Sequence, residues 1–220
     1  MNRLLSLLNL PSIWGISRLI ITNPRKLYTF MPQSGGYGDP VIFVTIMSAI
    51  ASALLLLGTF LELSPGASSE TGSIWQNAIY FILSTLAGII FSFLLATIMF
   101  AIWNLFGSEQ DFEDAYPCIA YSCVLLPIFA IARFIPLPYL GAYGGIALAG
   151  IWWCGLITEA NQVVHQQRRL KMIVLFVILY AAALFFVFQE QQTKQANEGR
   201  LEQFNDQMRA LEQRASELDP

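Results

Sequence analysis

Five long apolar runs constrain this 220-residue chain more than any other feature of its sequence. They cover residues 41–61, 73–106, 115–135, 139–158 and 172–188. A helix needs about 20 mostly apolar residues to cross a hydrocarbon core of about 30 Å, and runs of this length meet that requirement. Apolar and polar residues do not alternate in them, as they would in the strands of a membrane barrel. The sequence therefore predicts an all-α, polytopic membrane bundle of five spans.

The composition agrees with a membrane environment. Hydrophobic residues make up 55% of the chain and charged residues only 12%, so a soluble domain of this size would be unable to cover its apolar surface. The net charge of -3 and the few, scattered basic residues exclude a nucleic-acid-binding face. Membrane lipids and other membrane proteins are the expected partners.

The basic residues predict the orientation, because cytoplasmic loops are enriched in Lys and Arg near span ends. They lie before the first run and between the fourth and fifth runs: Arg3, Arg18, Arg25 and Lys26, then Arg168, Arg169 and Lys171. This distribution places the N-terminus in the cytoplasm of a bacterial inner membrane and the C-terminus on the opposite side. The acidic loop 107–114 then lies on the same side as the connection between the fourth and fifth runs. We expect the two to touch through opposite charges: Glu109, Asp111, Glu113 and Asp114 on one, and Arg168, Arg169 and Lys171 on the other.

Three regions are predicted along the chain: an N-terminal segment (1–40), the membrane domain (41–188) and a tail (189–220). In the first region Ile13, Ile16 and Ile20 recur at helical spacing after Pro11. This spacing predicts a short amphipathic helix that lies in the membrane interface. An ordinary helix packed on the bundle is the alternative, and the sequence leaves both open.

The tail carries a second amphipathic pattern, with apolar residues spaced alternately by three and four. They are Leu201, Phe204, Met208, Leu211, Ala215 and Leu218. Such a heptad pattern is typical of a coiled coil, so the tail is a candidate element for self-association or partner binding. A solitary amphipathic helix folded onto the membrane or a neighbour remains the alternative.

Two spans carry small residues at every fourth position, which lets helix backbones approach closely. The second span has Ser84, Gly88, Ser92 and Ala96, and the fourth has Gly141, Gly145 and Ala149. Pro127 lies in the middle of the third run and should kink its helix, since proline removes a backbone donor.

Groups that carry chemistry are sparse. The middles of all five runs contain no charged residue and no His, and no hydrolase, phosphate-loop or dinucleotide-binding motif is present. The chain is therefore predicted not to be an enzyme and to use no cofactor or metal. Glu159, His165, Arg168 and Arg169 form a polar cluster near a span end. It is either an ordinary interfacial group or a recognition site for an anionic lipid head or a soluble partner.

The order of several segments resembles the Yip family of small five-span membrane proteins, especially its bacterial branch. The resemblance lies in the segment Asn23, Pro24 and Arg25 before the first span, in Tyr121 with Pro127, and in Gly155 followed by His165. It implies a non-enzymatic membrane organiser that binds other proteins and itself. A transporter or channel is the competing hypothesis. A polar cavity that reaches the middle of the membrane would favour it, and a filled core would favour the scaffold.

Overall fold

A computed structural model of the chain describes residues 10–31, 36–61, 63, 74–135, 143–166, 168–182, 185, 189 and 193. The chain divides into two compact units, residues 1–175 and 176–220. Within the described ranges regular secondary structure is helical and no strand occurs, so the predicted all-α class is confirmed there.

Seven α-helices lie wholly within the described part of the first unit. They are α1 (Leu10–Thr22), α2 (Pro24–Phe30), α3 (Gly38–Phe60), α4 (Ile74–Leu105), α5 (Phe112–Ser122), α6 (Leu126–Ala132) and α7 (Tyr143–Val163). A 3₁₀ turn, Cys123–Leu125, joins α5 to α6, and residues 169–175 are helical as well. In the second unit residues 176–182, 185, 189 and 193 are helical.

Three helical segments among the described residues are long and apolar enough to cross a membrane: Gly38–Phe60, Ile74–Leu105 and Phe112–Ala132. They coincide with the first three predicted spans. In the region of the fourth and fifth, α7 is helical over Tyr143–Val163 and so are residues 169–182, but neither is among the three. Spans four and five stay a prediction.

The segment α1 packs on the bundle through its apolar face. Ile20 is fully buried and Ile13 is 8% exposed, and both belong to one core cluster with residues of α3, the 3₁₀ turn and α7. Those residues are Phe43, Met47, Val124, Leu125 and Leu156. Trp14 lies on the other face and is 73% exposed. Ile13 and Ile20 therefore pack on the bundle, as the second of the two alternatives expects. The exposed Trp14 leaves the other face of α1 available to lipid headgroups.

The segment Asn23–Pro24–Arg25 has a local structural role, because it starts α2. The side chain of Asn23 accepts a hydrogen bond from the backbone N–H of Lys26 at 3.1 Å, which caps α2. Pro24 occupies the first position of that helix, where its missing N–H is not needed. Together they start α2, whose Tyr28 is buried.

Pro127 interrupts the third span as predicted. In a continuous α-helix the carbonyl of Cys123 would accept from the N–H of residue 127, which proline lacks. Instead the N–H of Leu126 binds that carbonyl, the chain tightens into the 3₁₀ turn, and a new helix begins. The third span is therefore two helices joined by a break.

Candidate functional site

The most distinctive polar group of the first unit lies where α4 and α7 end, here called the polar end (residues 103–111 and 159–171). The imidazole of His165 stacks on the indole of Trp103, with ring centroids 3.8 Å apart and planes inclined by 24°. Its Nδ1 lies 2.9 Å from Oγ of Ser108 in the loop after α4. His165 is 3% exposed, so the side chain is enclosed rather than presented at the surface.

Gly107 places Ser108 against this ring. Its φ of +89° lies in the left-handed region, which glycine adopts without strain. The N–H of Ser108 binds the carbonyl of Trp103 and the N–H of Gly107 binds that of Asn104, both at 2.9 Å. This is the Schellman pattern of helix termination. Because the pattern ties Ser108 back to Trp103, both partners of His165 are held by one helix end.

Several polar atoms at the polar end are buried without a hydrogen-bond partner among the described residues. They are Nε2 of His165, Nε1 of Trp103 and both amide atoms of Asn161. Asn161 is fully buried and lies one helical turn before His165. Leaving such a group unpaired costs about 1–3 kcal/mol, so we expect ordered water beside them.

Burial also determines the protonation of His165. Desolvation lowers the pKa of its imidazole from 6.5 to about 4, because the charged form is disfavoured away from water. The ring is therefore neutral at pH 7 and offers no positive charge to an anion.

The other members of the polar cluster separate from His165. Glu159 and Arg169 form an ion pair at 3.2 Å across the turn after α7, with Arg169 58% and Glu159 19% exposed. Arg168 is exposed. The structure thus joins two of the four residues in an ion pair, encloses the third, and leaves Arg168 at the surface.

The loop 107–114 touches the connection after α7, as expected, but not through the expected opposite charges. Ser108 reaches His165, and Nζ of Lys171 lies 3.4 Å from the carbonyl oxygen of Phe106 and 5.7 Å from the centre of its ring. Among the described residues the single ion pair is Glu159–Arg169, so carboxylates of the acidic loop do not form the contact. The contact is formed instead by Lys171, at the C-terminus of α4, and by the buried imidazole of His165.

The small residues of α4 face other helices of the bundle. Oγ of Ser84 donates to Oγ of Ser52 on α3 at 2.8 Å, and a Cβ at Gly88 would lie 2.8 Å from Cβ of Ser48. Ser92 and Ala96 are buried, Ser92 with its hydroxyl 3.5 Å from that of Tyr116 on α5. This face of α4 is occupied within the chain.

The fourth predicted span also has a small residue in close contact with another helix. A Cβ on Gly145 would lie 2.8 Å from the carbonyl carbon of Ala132, the last residue of α6, and Ala149 is buried one turn later. Gly141 lies outside the described residues, as do Leu201, Phe204, Met208, Leu211 and Leu218 of the tail.

Three residues of the polar end escape prediction: Trp103, Ser108 and Asn161. Asn161 had a usable signal, since it is a polar residue in the last turn of a mostly apolar helix and lies only four positions before His165. Gly107 marked the helix end that orients Ser108. Trp103 had none, because a tryptophan at the end of an apolar run is ordinary. Within the described ranges no group of three or more His, Cys, Asp or Glu residues is placed to hold a metal ion.

A helical chain with several apolar segments of membrane-spanning length among its described residues is an integral membrane protein. The family model of the Yip1 domain matches residues 18–189, so the chain belongs to the Yip1 domain family. Comparisons with curated proteins and with solved structures gave no match.

Proposed function

We propose that the chain is an integral membrane scaffold or accessory subunit that binds and organises other membrane proteins, itself, or both. Members of the Yip family are not known as enzymes, which agrees with this role. The bacterial inner membrane, with a cytoplasmic N-terminus and the tail on the opposite side, is the proposed location.

The outer face of α4 carries the proposal. One stripe of this helix packs on α3 and α5, while its large apolar side chains elsewhere are exposed along the whole length, from Ile74 (86%) and Trp75 (78%) to Leu105 (82%). A helix of 32 residues is about 48 Å long. Tilted by about 40°, it still spans roughly 37 Å of depth, against about 30 Å of hydrocarbon.

At least one end of α4 therefore presents apolar side chains beyond the hydrocarbon core. A tryptophan such as Trp75 is favourable at the level of the headgroups, but the aliphatic side chains of Ile74 and Leu105 are not stabilised there. An apolar helix of another membrane protein would cover them. This mismatch supports protein binding along α4 over exposure to lipid alone.

Site-specific photo-crosslinking in native membranes tests the proposal. A benzophenone amino acid in place of Trp75 or Leu105 should yield adducts with other proteins or with a second copy of the chain. The same group in place of Met99, which is 3% exposed on the same helix, should react within the chain only. Adducts with lipid alone at both exposed positions would contradict the scaffold function.

A transporter is the second candidate, and a cavity beside the middle of α3 favours it. This cavity has a volume of about 270 Å³ and is lined by Ser48, Ser52 and Ser84 together with apolar residues and Arg133. Most of its lining is apolar, so it meets the criterion stated above only through its three hydroxyls and Arg133. Release of trapped solutes from liposomes that contain the purified chain would support a transporter, and tight liposomes would support the scaffold.

A further inference from the structure

The helices of the bundle give a scale for the depth at which α1 packs. The polar end is the end at which α3 and α5 begin and α4 finishes, because the ring of Phe112 lies 6.2 Å from that of Tyr37 and 5.6 Å from that of Phe100. The helix α7 finishes there too, since His165 stacks on Trp103. The distance of a residue from this end, counted along its helix, therefore measures its depth in the membrane.

The apolar face of α1 contacts the bundle well inside the polar end. Its residues Ile13 and Ile20 share a core cluster with Phe43, which lies five residues inside α3, Leu156, seven residues inside α7, and Val124, twelve residues inside the third span. At 1.5 Å per residue these depths are about 8, 10 and 18 Å. With 23 residues α3 is about as long as the hydrocarbon core is thick, so its end lies near the hydrocarbon boundary. The helix α1 therefore lies at the level of the acyl chains of one leaflet.

The outer face of α1 and α2 presents large apolar side chains at this level. Trp14, Arg18 and Ile21 follow one another by four and three residues and so form one stripe along α1. Trp14 is 73% exposed and Ile21 is 37% exposed. Phe30, at the end of α2, is 74% exposed. Lipid covers such side chains without cost, whereas water would not.

The same face is basic throughout. Arg18, Arg25 and Lys26 are exposed, and residues 10–31 contain no Asp or Glu. None of these three cations forms an ion pair with another described residue. A long basic side chain can lie along acyl chains and still hold its charge among the headgroups, where it attracts anionic lipid.

We propose that α1 is inserted into one leaflet, between the bundle and the surrounding lipid, and that this outer face binds phospholipids with anionic headgroups. Their acyl chains cover Trp14 and Ile21, and their phosphates lie at Arg18, Arg25 and Lys26. A soluble anion would leave the apolar side chains uncovered, and a protein partner would have to bring acidic groups to the edge of the hydrocarbon core, which is costly. This surface goes beyond the scaffold function and does not depend on it.

The fluorescence of Trp14 in liposomes tests the depth. The signal is the difference between the full-length wild-type chain and Trp14→Phe, because the chain has five tryptophans and this variant removes one. Phospholipids brominated in the middle of their acyl chains should quench that signal, and iodide in the water should not. Quenching by iodide alone would place α1 at the membrane surface. A signal that neither quencher reduces would show that protein covers this face, and either result overturns the proposal.

Exchanging the brominated lipid tests the headgroup. The liposomes contain equal amounts of phosphatidylglycerol and phosphatidylcholine, and only one of the two carries bromine in each sample. The Trp14 signal should be quenched more strongly when phosphatidylglycerol is brominated, because one engaged cation shifts the local ratio of the two lipids by roughly fivefold. Equal quenching of the wild-type chain in the two samples would overturn the proposal.

Charge variants assign this preference to the outer face, each measured against the same variant with Trp14→Phe. The triple variant Arg18→Gln, Arg25→Gln, Lys26→Gln should be quenched equally in the two samples. Brominated acyl chains should still quench it when both lipids carry bromine, which shows that α1 stays in place. Arg133→Gln is the matched control, since Arg133 directly follows α6 at the other end of the third span, and it should keep the preference. An unchanged preference in the triple variant would equally overturn the proposal.

Discussion

The indole of Trp103 and the imidazole of His165 stack at a centroid separation of 3.8 Å, although 62 positions separate them along the chain. Trp103 belongs to the last turn of α4 and His165 follows α7, so this contact closes one end of the bundle. Both rings are buried, and Ser108 anchors the imidazole from the loop that α4 ends in. We therefore expect the polar end to stabilise the arrangement of α4 and α7.

Replacement of Trp103 measures this contact directly. Trp103→Ala should destabilise the chain by about 3–5 kcal/mol, because it leaves a cavity and strips His165 of its stacking partner. Thermal unfolding in a mild detergent measures the change. Trp14→Ala is the matched control, since Trp14 is 73% exposed, and its midpoint should stay close to that of the wild-type chain. Equal midpoints for the two variants would show that the stacking contributes nothing.

His165 should make stability depend on pH. Burial lowers the pKa of its imidazole to about 4 in the folded chain, against about 6.5 in the unfolded chain. Between these values the unfolded chain binds the proton and the folded chain does not. The contribution of neutral His165 to the free energy of unfolding is thus complete above pH 6.5 and is lost as the pH falls toward 4.

The difference in unfolding temperature between the wild-type chain and His165→Gln isolates this effect, because the carboxylates titrate in both. The wild-type chain should lose more stability than the variant between pH 7 and pH 4.5. Parallel curves for the two proteins would mean that His165 is not enclosed.

Glycines at helix contacts should tolerate no side chain. Gly145→Ala places a methyl group against the backbone of Ala132, which has no rotamer to move, and Gly88→Leu forces α4 away from Ser48. Both variants should reduce the yield of folded protein. Gly155→Ala is the control, since a Cβ there meets nothing within 4 Å, and it should be neutral or stabilising by up to about 1 kcal/mol. If Gly145→Ala folds as well as Gly155→Ala, the close approach of α6 and α7 is not present.

The tail prediction depends on the sequence alone. Removal of residues 190–220 should leave the membrane domain folded and abolish self-association or partner binding, which chemical crosslinking and light scattering measure. Leu211→Asp, in the apolar seam, should act like the truncation, whereas Gln213→Asp, outside the seam, should not. A truncated chain that assembles like the full-length chain would exclude the tail as the interacting element.

Local chemistry in the sequence determined much of the fold. Run length and apolarity located the first three spans, because a helix in lipid must satisfy its own backbone over about 20 residues. Asn23 and Pro24 start α2, and Pro127 breaks the third span, through backbone hydrogen bonds that reach no further than four residues. Such features are readable from sequence since both partners lie within one turn.

The tertiary structure alone decided the chemistry of the polar end and the cavities. The sequence grouped His165 with Glu159, Arg168 and Arg169 as neighbours along the chain, but its actual contacts, Trp103 and Ser108, come from the distant end of α4. The enclosure that lowers its pKa is a property of packed helices, and no spacing of residues encodes it. The same holds for Ser48 and Arg133, which share a cavity because α3, α4 and α6 leave space between them. Membrane helices pack through surfaces that are almost uniformly apolar, so their sequences locate each helix far better than they specify its neighbours.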